Sequence, residues 1–260
     1  EERRKLEIAL RHSLARGEMS LAFQPVVDAR AEGIVSFEAL LRWNSAEHGF
    51  VSPAKFIPLA EDTRLIVPIG EWVLRQACAE AMNWPDHTRV AVNVSGEQLL
   101  DPNFAAVVVS ALSSTGLPAR RLEIEVTESI FLRDDTASTA TLERIIDLGC
   151  SVALDDFGTG YSSLGYLRRV QFSTIKVDRS FVQGACAGNR ESLAIIRAVV
   201  AMAQSLEMST TAEGVETTEE AALIRDLGCT KIQGYYFGRP MPANEAVALF
   251  RRNRAAGAAA

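Results

Sequence analysis

The sequence predicts an α/β fold, a TIM-like (β/α)8 barrel with an antiparallel first strand. Eight short runs read as strands: Leu21–Val27, Val35–Leu41, Arg89–Val94, Leu122–Val126, Ser151–Leu154, Thr174–Val177, Met208–Ala212 and Thr230–Gln233. Stretches with helical spacing lie between most of them. Strands alternating with helices build a parallel sheet, and about 250 residues is the usual length for eight such units closed into a barrel. The chain has 260. Only seven residues separate Val27 from Val35. A parallel pair needs a crossover of a dozen or more, so these two strands must be antiparallel. The alternative is an open doubly wound sheet, but the glycine-rich signature of its nucleotide-binding form is absent.

The helices follow in order. Glu1–Arg16 is charged, with Leu6, Leu10 and Leu14 on one face; it reads as a linker helix from an upstream domain. Ile66–Trp84 stops before Pro85, and Phe104–Ser114 stops before Gly116. Asp134–Leu148 and Thr217–Leu227 end at Gly149 and Gly228, the signal of a left-handed C-terminal cap, and Thr217 to Glu220 has the form of a capping box. Ser192–Leu206 and Asn244–Arg251 complete the set. The division expected is therefore a linker over residues 1–18, one barrel domain over 19–252 and a frayed tail over 253–260.

Composition narrows the function. The net charge is -6, which argues against a nucleic-acid polymer as partner. No run approaches the roughly 18 apolar residues of a membrane span, so no membrane contact is expected of this domain. The four cysteines, Cys78, Cys150, Cys186 and Cys229, form no CxxC pair. They read as buried free thiols of a protein in the reducing cytoplasm.

In a parallel barrel the site lies at the C-terminal strand ends. Those ends carry Glu38, Asn93, Glu125 with Glu128 beyond it, Asp155 and Asp156, Lys176 with Asp178, Glu213 with Glu216, and Gln233. Any one of these alone would ordinarily be solvated. Several acids converging on one mouth repel each other and need cations to stay ionised together. The set contains oxygen donors and no His or Cys, which fits Mg²⁺ or Mn²⁺ rather than zinc. Two such ions are a common apparatus for displacement at a phosphodiester. Lys176 would position or deprotonate the attacking water, and Arg42 offers a planar fork to a phosphate oxygen. A glycosidase is the rival reading, but it needs only two carboxylates and leaves Lys176 unexplained.

These residues stand in recognisable motifs: Gln24-Pro25-Val26-Val27, Glu38-Ala39-Leu40-Leu41-Arg42, Asn93-Val94-Ser95, Glu125-Val126-Thr127-Glu128, the loop Asp155–Leu164, Ile175-Lys176-Val177-Asp178, Ala212-Glu213-Gly214-Val215-Glu216 and Gln233-Gly234-Tyr235. In this order, from about Met19 to Pro242, the chain resembles an EAL domain. The resemblance implies a barrel with an antiparallel first strand and a phosphodiesterase that opens cyclic di-GMP to linear pGpG. It implies Glu38, Asn93, Glu125 and Asp155 as ligands of one metal, Asp155 and Asp156 at a second, and Glu213 as a further acid of the cluster. Lys176, Glu38 and Glu213 would be catalytic. Gln24, Arg42, Glu216 and Gln233 would face substrate, and Glu128 would anchor the Asp155–Leu164 loop. It also implies a homodimer and an upstream sensory or GGDEF domain. Ca²⁺, which tolerates looser geometry, is expected to bind and inhibit. A non-catalytic cyclic di-GMP receptor is the alternative, since many relatives have lost site residues, but none of those positions is lost here. The departures are Phe23, Val126 and the polar run Ser209-Thr210-Thr211 in a strand that is usually apolar.

Overall fold

The structure, a computed structural model, describes the chain apart from residues 133–134, 159–164, 166, 168 and 258–260. Residues 159–164 of the expected site loop and the last residues of the expected tail therefore lie outside the described part.

Among the described residues, nine strands form one sheet: β1 (Met19–Asp28), β2 (Ile34–Ser45), β3 (Gly49–Val51), β4 (Arg89–Asn93), β5 (Leu122–Thr127), β6 (Ser151–Phe157), β7 (Thr174–Val177), β8 (Ser209–Ala212) and β9 (Lys231–Gln233). Eight of them close a ring in the order β1, β9, β8, β7, β6, β5, β4, β2, with β1 returning to β2. The β1–β2 and β1–β9 pairs are antiparallel, and the pairs from β2 and β4 round to β9 are parallel. The predicted barrel and its reversed first strand are both present. The ninth strand was not expected: β3 folds back on the far end of β2 as a hairpin, pairing Trp43 with Val51 outside the ring.

The helices are α1 (Glu2–His12), α2 (Pro53–Asp62), α3 (Ile66–Ala81), α4 (Gly96–Leu99), α5 (Phe104–Thr115), α6 (Asp135–Asp147), α7 (Arg179–Cys186), α8 (Arg190–Ser205), α9 (Thr218–Asp226) and α10 (Ala243–Gly257). The cap signals hold. Gly149 and Gly228 take positive φ just past α6 and α9, and Thr217 accepts from Glu220 N–H while the Glu220 carboxylate reaches back to the backbone. α10 runs to Gly257 instead of stopping at Arg251.

Two-residue periodicity divides each strand between two environments. On β5, Leu122, Ile124 and Val126 are buried in the hydrophobic core, whereas Glu123 and Glu125 point into the lumen. The lumenal direction follows from their partners. Thr174 Oγ1 donates to Glu123 at 3.1 Å and Lys176 Nζ to Glu125 at 2.7 Å, and both donors lie on β7, across the intervening β6. The lumen is therefore polar in two layers. Glu123 sits in the lower one with Ser173 and Thr174, and Lys231 Nζ donates to Thr174 at 3.1 Å. Serine and threonine on β8 fit this interior: Ser209 Oγ lies 3.0 Å from Thr174 Oγ1.

The thiol expectation needs one correction. Cys78, Cys150 and Cys229 are buried, but Cys186, in the last turn of α7, is exposed. Burial pushes the Cys78 thiol up to about 12 and the other two buried thiols up to about 11.

α1 docks on the domain. Leu6, Ala9 and Leu10 are buried in the main core, and Lys55 and Asp62 of α2 hold Glu2 and Arg3 by ion pairs. Truncating Leu10 to Ala leaves a cavity in that core and should cost about 2–5 kcal/mol of stability. Urea unfolding with an unchanged slope checks this; an unchanged midpoint would show that α1 is not part of the folding unit.

Candidate functional site

The strand register builds the site. Gln24 of β1 lies opposite Glu38 of β2, and Asn93 of β4 beside Glu125 of β5. Lys176 of β7 stands at the centre, 2% exposed. Its ammonium reaches Glu125 Oε2 at 2.7 Å, Glu213 Oε1 at 2.8 Å, Asp155 Oδ2 at 3.3 Å and Glu38 Oε2 at 3.7 Å. Asn93 Nδ2 donates to Glu38 Oε1 at 2.6 Å, and Gln233 Nε2 donates to Glu38 Oε2 at 2.6 Å and to Gln24 Oε1 at 3.3 Å. Gln24 Nε2 in turn donates to the Gly238 carbonyl at 3.2 Å.

Asp155 and Asp156 separate because the backbone turns between them. Asp156 has φ of 54°, a left-handed conformation in which neighbouring side chains no longer alternate as in a strand. Asp155 is buried beside Lys176 and Asp156 is exposed, yet carboxylate oxygens of Asp155, Asp156 and Glu213 lie within 4.8 Å of one another. Glu128 accepts from Gly158 N–H at 3.0 Å, which fixes the start of the loop that follows β6.

The electrostatics are unbalanced. Four carboxylates surround one buried ammonium, and Asp156 adds a fifth. Burial alone would lower the basicity of Lys176, but Asp155, Glu125, Glu213 and Glu38 together hold its pKa well above the usual lysine value. Burial lifts Glu125 well above the carboxylate range, with Glu38 and Asp155 adding to it against Lys176. Burial also pushes Glu213 up to about 8, again with Asp155 and Glu38 contributing. Asp156 rises through partial desolvation of its carboxylate and the neighbouring Asp155 and Asp178. Glu38 moves the other way: burial raises it, but Lys176, Gln233 and Asn93 outweigh burial and keep it ionised. One ammonium is not enough to hold every acid charged. Oxygen donors with surplus negative charge and no nitrogen or sulfur fit hard divalent cations.

Among the described residues, two cavities border the acids. One, of about 370 Å³, has mostly apolar walls, with Leu40, Ile57, Ile69 and Val73 among them and Arg42, Asn93 and Glu125 at its inner side. The half-buried Arg42 donates from Nη1 to its neighbour's carbonyl, Leu41 O, at 3.0 Å. The other, of about 230 Å³, is polar and is lined by Gln24, Glu38, Asp155, Glu213, Glu216 and Gln233, together with Arg179 and Tyr235.

The structure thus gathers Glu38, Asn93, Glu125, Asp155, Asp156, Lys176, Glu213, Gln24 and Gln233 at one mouth and puts Arg42 and Glu216 on its walls. Asp178, expected at the rim, acts electrostatically on Asp156 and also caps α7 by accepting from Ser180 N–H at 2.9 Å. Two features carried no expectation from the sequence: Arg179, the first residue of α7, and the close approach of Gln98 to Gly70 in the wall of the apolar cavity. Nothing in composition marks Arg179; its position two residues beyond a lumenal strand end was the available signal.

Replacing Lys176 with Met leaves the buried acids without their cation, and breaking such a buried pair typically costs about 3–5 kcal/mol. The metal-free variant should lose that stability in urea unfolding, and Mn²⁺ should raise its midpoint more than that of the unmodified protein. Equal midpoints in EDTA would contradict this account of the cluster.

Comparison with known proteins accords with this geometry. The family described as EAL domain matches residues 7–240. Protein y4lL of Sinorhizobium fredii is 49% identical over 249 residues, covering 96% of this chain and 30% of that protein. The bifunctional diguanylate cyclase/cyclic di-GMP phosphodiesterase MucR of Pseudomonas aeruginosa is 42% identical over 243 residues, covering 92% of this chain and 35% of that protein. The chain therefore spans about a third of the length of these curated relatives. A solved structure of the PaMucR phosphodiesterase in complex with c-di-GMP superimposes with a TM-score of 0.88 at 41% identity, covering 93% of this chain and 99% of that one. With the barrel, the reversed first strand and the acid cluster in place, the chain belongs to the EAL domain family.

Proposed function

We propose that this chain is a divalent-metal-dependent phosphodiesterase that hydrolyses one 3′–5′ phosphodiester of cyclic di-GMP to give pGpG. The observation that carries the reading is the convergence of Glu38, Asn93, Glu125, Asp155, Asp156 and Glu213 around the buried Lys176, with more negative charge than the lysine balances. MucR, named for cyclic di-GMP phosphodiesterase activity, supports the substrate.

Glu38, Asn93, Glu125 and Asp155 would hold one Mg²⁺ or Mn²⁺, and Asp155, Asp156 and Glu213, whose carboxylate oxygens lie within 4.8 Å of one another, would hold a second. Bound there, the ions supply a water of lowered pKa and neutralise charge on the phosphate. The rest falls to the chain. Lys176, kept protonated, donates towards the acids and orients the attacking water among them. Water adds to phosphorus as the bond to the 3′-oxygen breaks, leaving a free 3′-hydroxyl and a terminal 5′-phosphate. Gln233 bridges Glu38 and Gln24, so metal ligand and substrate wall move as one unit. Arg42 faces the apolar cavity, where it can meet a phosphate oxygen while a nucleobase packs against Leu40 and Ile69. The share of length matched to MucR supports a chain that works as one domain of a larger signalling protein.

Incubation with cyclic di-GMP and Mn²⁺ should yield pGpG by chromatography, Glu38→Gln should lower kcat by more than about 10²-fold, and Ca²⁺ should not support turnover. Binding of cyclic di-GMP without turnover would replace the hydrolase with a receptor. Turnover in Ca²⁺ equal to that in Mg²⁺ would refute the calcium expectation.

A further inference from the structure

We propose that Arg179 is the cationic clamp for the phosphodiester of the substrate that is not being cleaved. The proposal rests on the cyclic di-GMP reading above. A cyclic dinucleotide presents two phosphodiesters, and the acid cluster handles one. The other needs a cation of its own, because the cluster is already over-supplied with negative charge. Lys176 is enclosed by Glu38, Glu125, Asp155 and Glu213 and serves the phosphodiester being cleaved. Arg42 lies on the side of the apolar cavity. Among the described residues lining the polar cavity, Arg179 is the one cation, and Glu38, Asp155, Glu213, Glu216 and Tyr235 share that lining.

Three features make it a clamp rather than a solvated surface group. Arg179 is exposed at the cavity mouth, and among the described residues its guanidinium has no ion-pair partner, although Glu213 and Glu216 line the same cavity. Its stem is placed by close packing: Gly214 follows Glu213 with φ of 71°, and a Cβ there would stand 2.4 Å from Arg179 Cβ. The absence of a side chain at 214 lets Arg179 lie against the end of β8, next to the acid that Lys176 holds. Its backbone is fixed by the Asp178 cap of α7. Arg179 is thus rigid at the root and free at the head, the state of a guanidinium kept for a ligand phosphate.

The test compares ligands with two phosphates and one. Cyclic di-GMP is measured with Mn²⁺ as KM and kcat if the protein turns it over, and as Kd by calorimetry if it does not. The linear dinucleotide GpG, with a single phosphodiester, is measured as Kd alongside it. Arg179→Ala should weaken cyclic di-GMP about tenfold through KM or Kd, weaken GpG less than twofold, and leave kcat within about twofold. Arg179→Lys should recover part of the loss, with circular dichroism confirming the fold of both variants. Equal losses on the two ligands, a fall confined to kcat, or no loss on cyclic di-GMP would overturn the clamp. Loss of cyclic di-GMP binding in a protein that never turns it over would support the clamp and overturn the hydrolase. An unmodified protein that neither binds nor hydrolyses cyclic di-GMP would overturn both.

Discussion

The structure depends on one buried ammonium that is outnumbered by acids. Lys176 sits at the centre of the barrel mouth with four carboxylates in reach. A single lysine could settle a single acid at little net gain, because desolvation of both charges consumes most of the attraction. Here the attraction of four acids outweighs that cost for Lys176, while Glu125 and Glu213 remain hard to ionise. The cluster is strained electrostatically in a way that further cations would relieve. The barrel bears this because its hydrophobic stabilisation lies elsewhere, between the outer strand faces and the helices, where Leu122, Ile124, Val126, Leu142 and Ile145 are all buried.

The same division explains what could be read from the sequence. Each lumenal residue alternates with a core residue, so Glu123 and Glu125 interleave with Leu122, Ile124 and Val126. That pattern made the strands and the strand-end acids legible, and the short link between the first two strands made the reversed pair legible. Glycine after a helix gave the ends of α6 and α9. Other parts carried no such period. β3 has three residues and owes its pairing to β2 beside it. α2 begins at Pro53 and carries Pro58 inside it, a residue that reads as a helix break although Phe56, Leu59 and Ala60 share its buried face, and α4 has only four residues. The Ser209-Thr210-Thr211 run, a departure from a usually apolar strand, suits a polar lumen on one side, with Thr210 exchanging hydrogen bonds with Thr230 on the other.

Site residues divided along the same line. Acids and amides at strand ends were found because register alone brings them together. Arg179 was missed because its place is set by a helix cap and by the missing side chain of Gly214, which are relations in space. The two cavities show how the mouth can treat the halves of an asymmetrically bound ligand differently. One wall is mostly apolar with Glu125 among its residues, and the other is polar and carries Glu38, Asp155, Glu213 and Glu216 together with Arg179.

The most direct test of the charge imbalance is the number of divalent ions it holds. Equilibrium dialysis of the metal-free protein against Mn²⁺ at pH 7.5, with the bound metal counted by emission spectrometry, should give two ions per chain, falling to one or none in Asp155→Asn. A protein that binds no Mn²⁺, or whose bound Mn²⁺ is unaffected by loss of Asp155, would contradict the account.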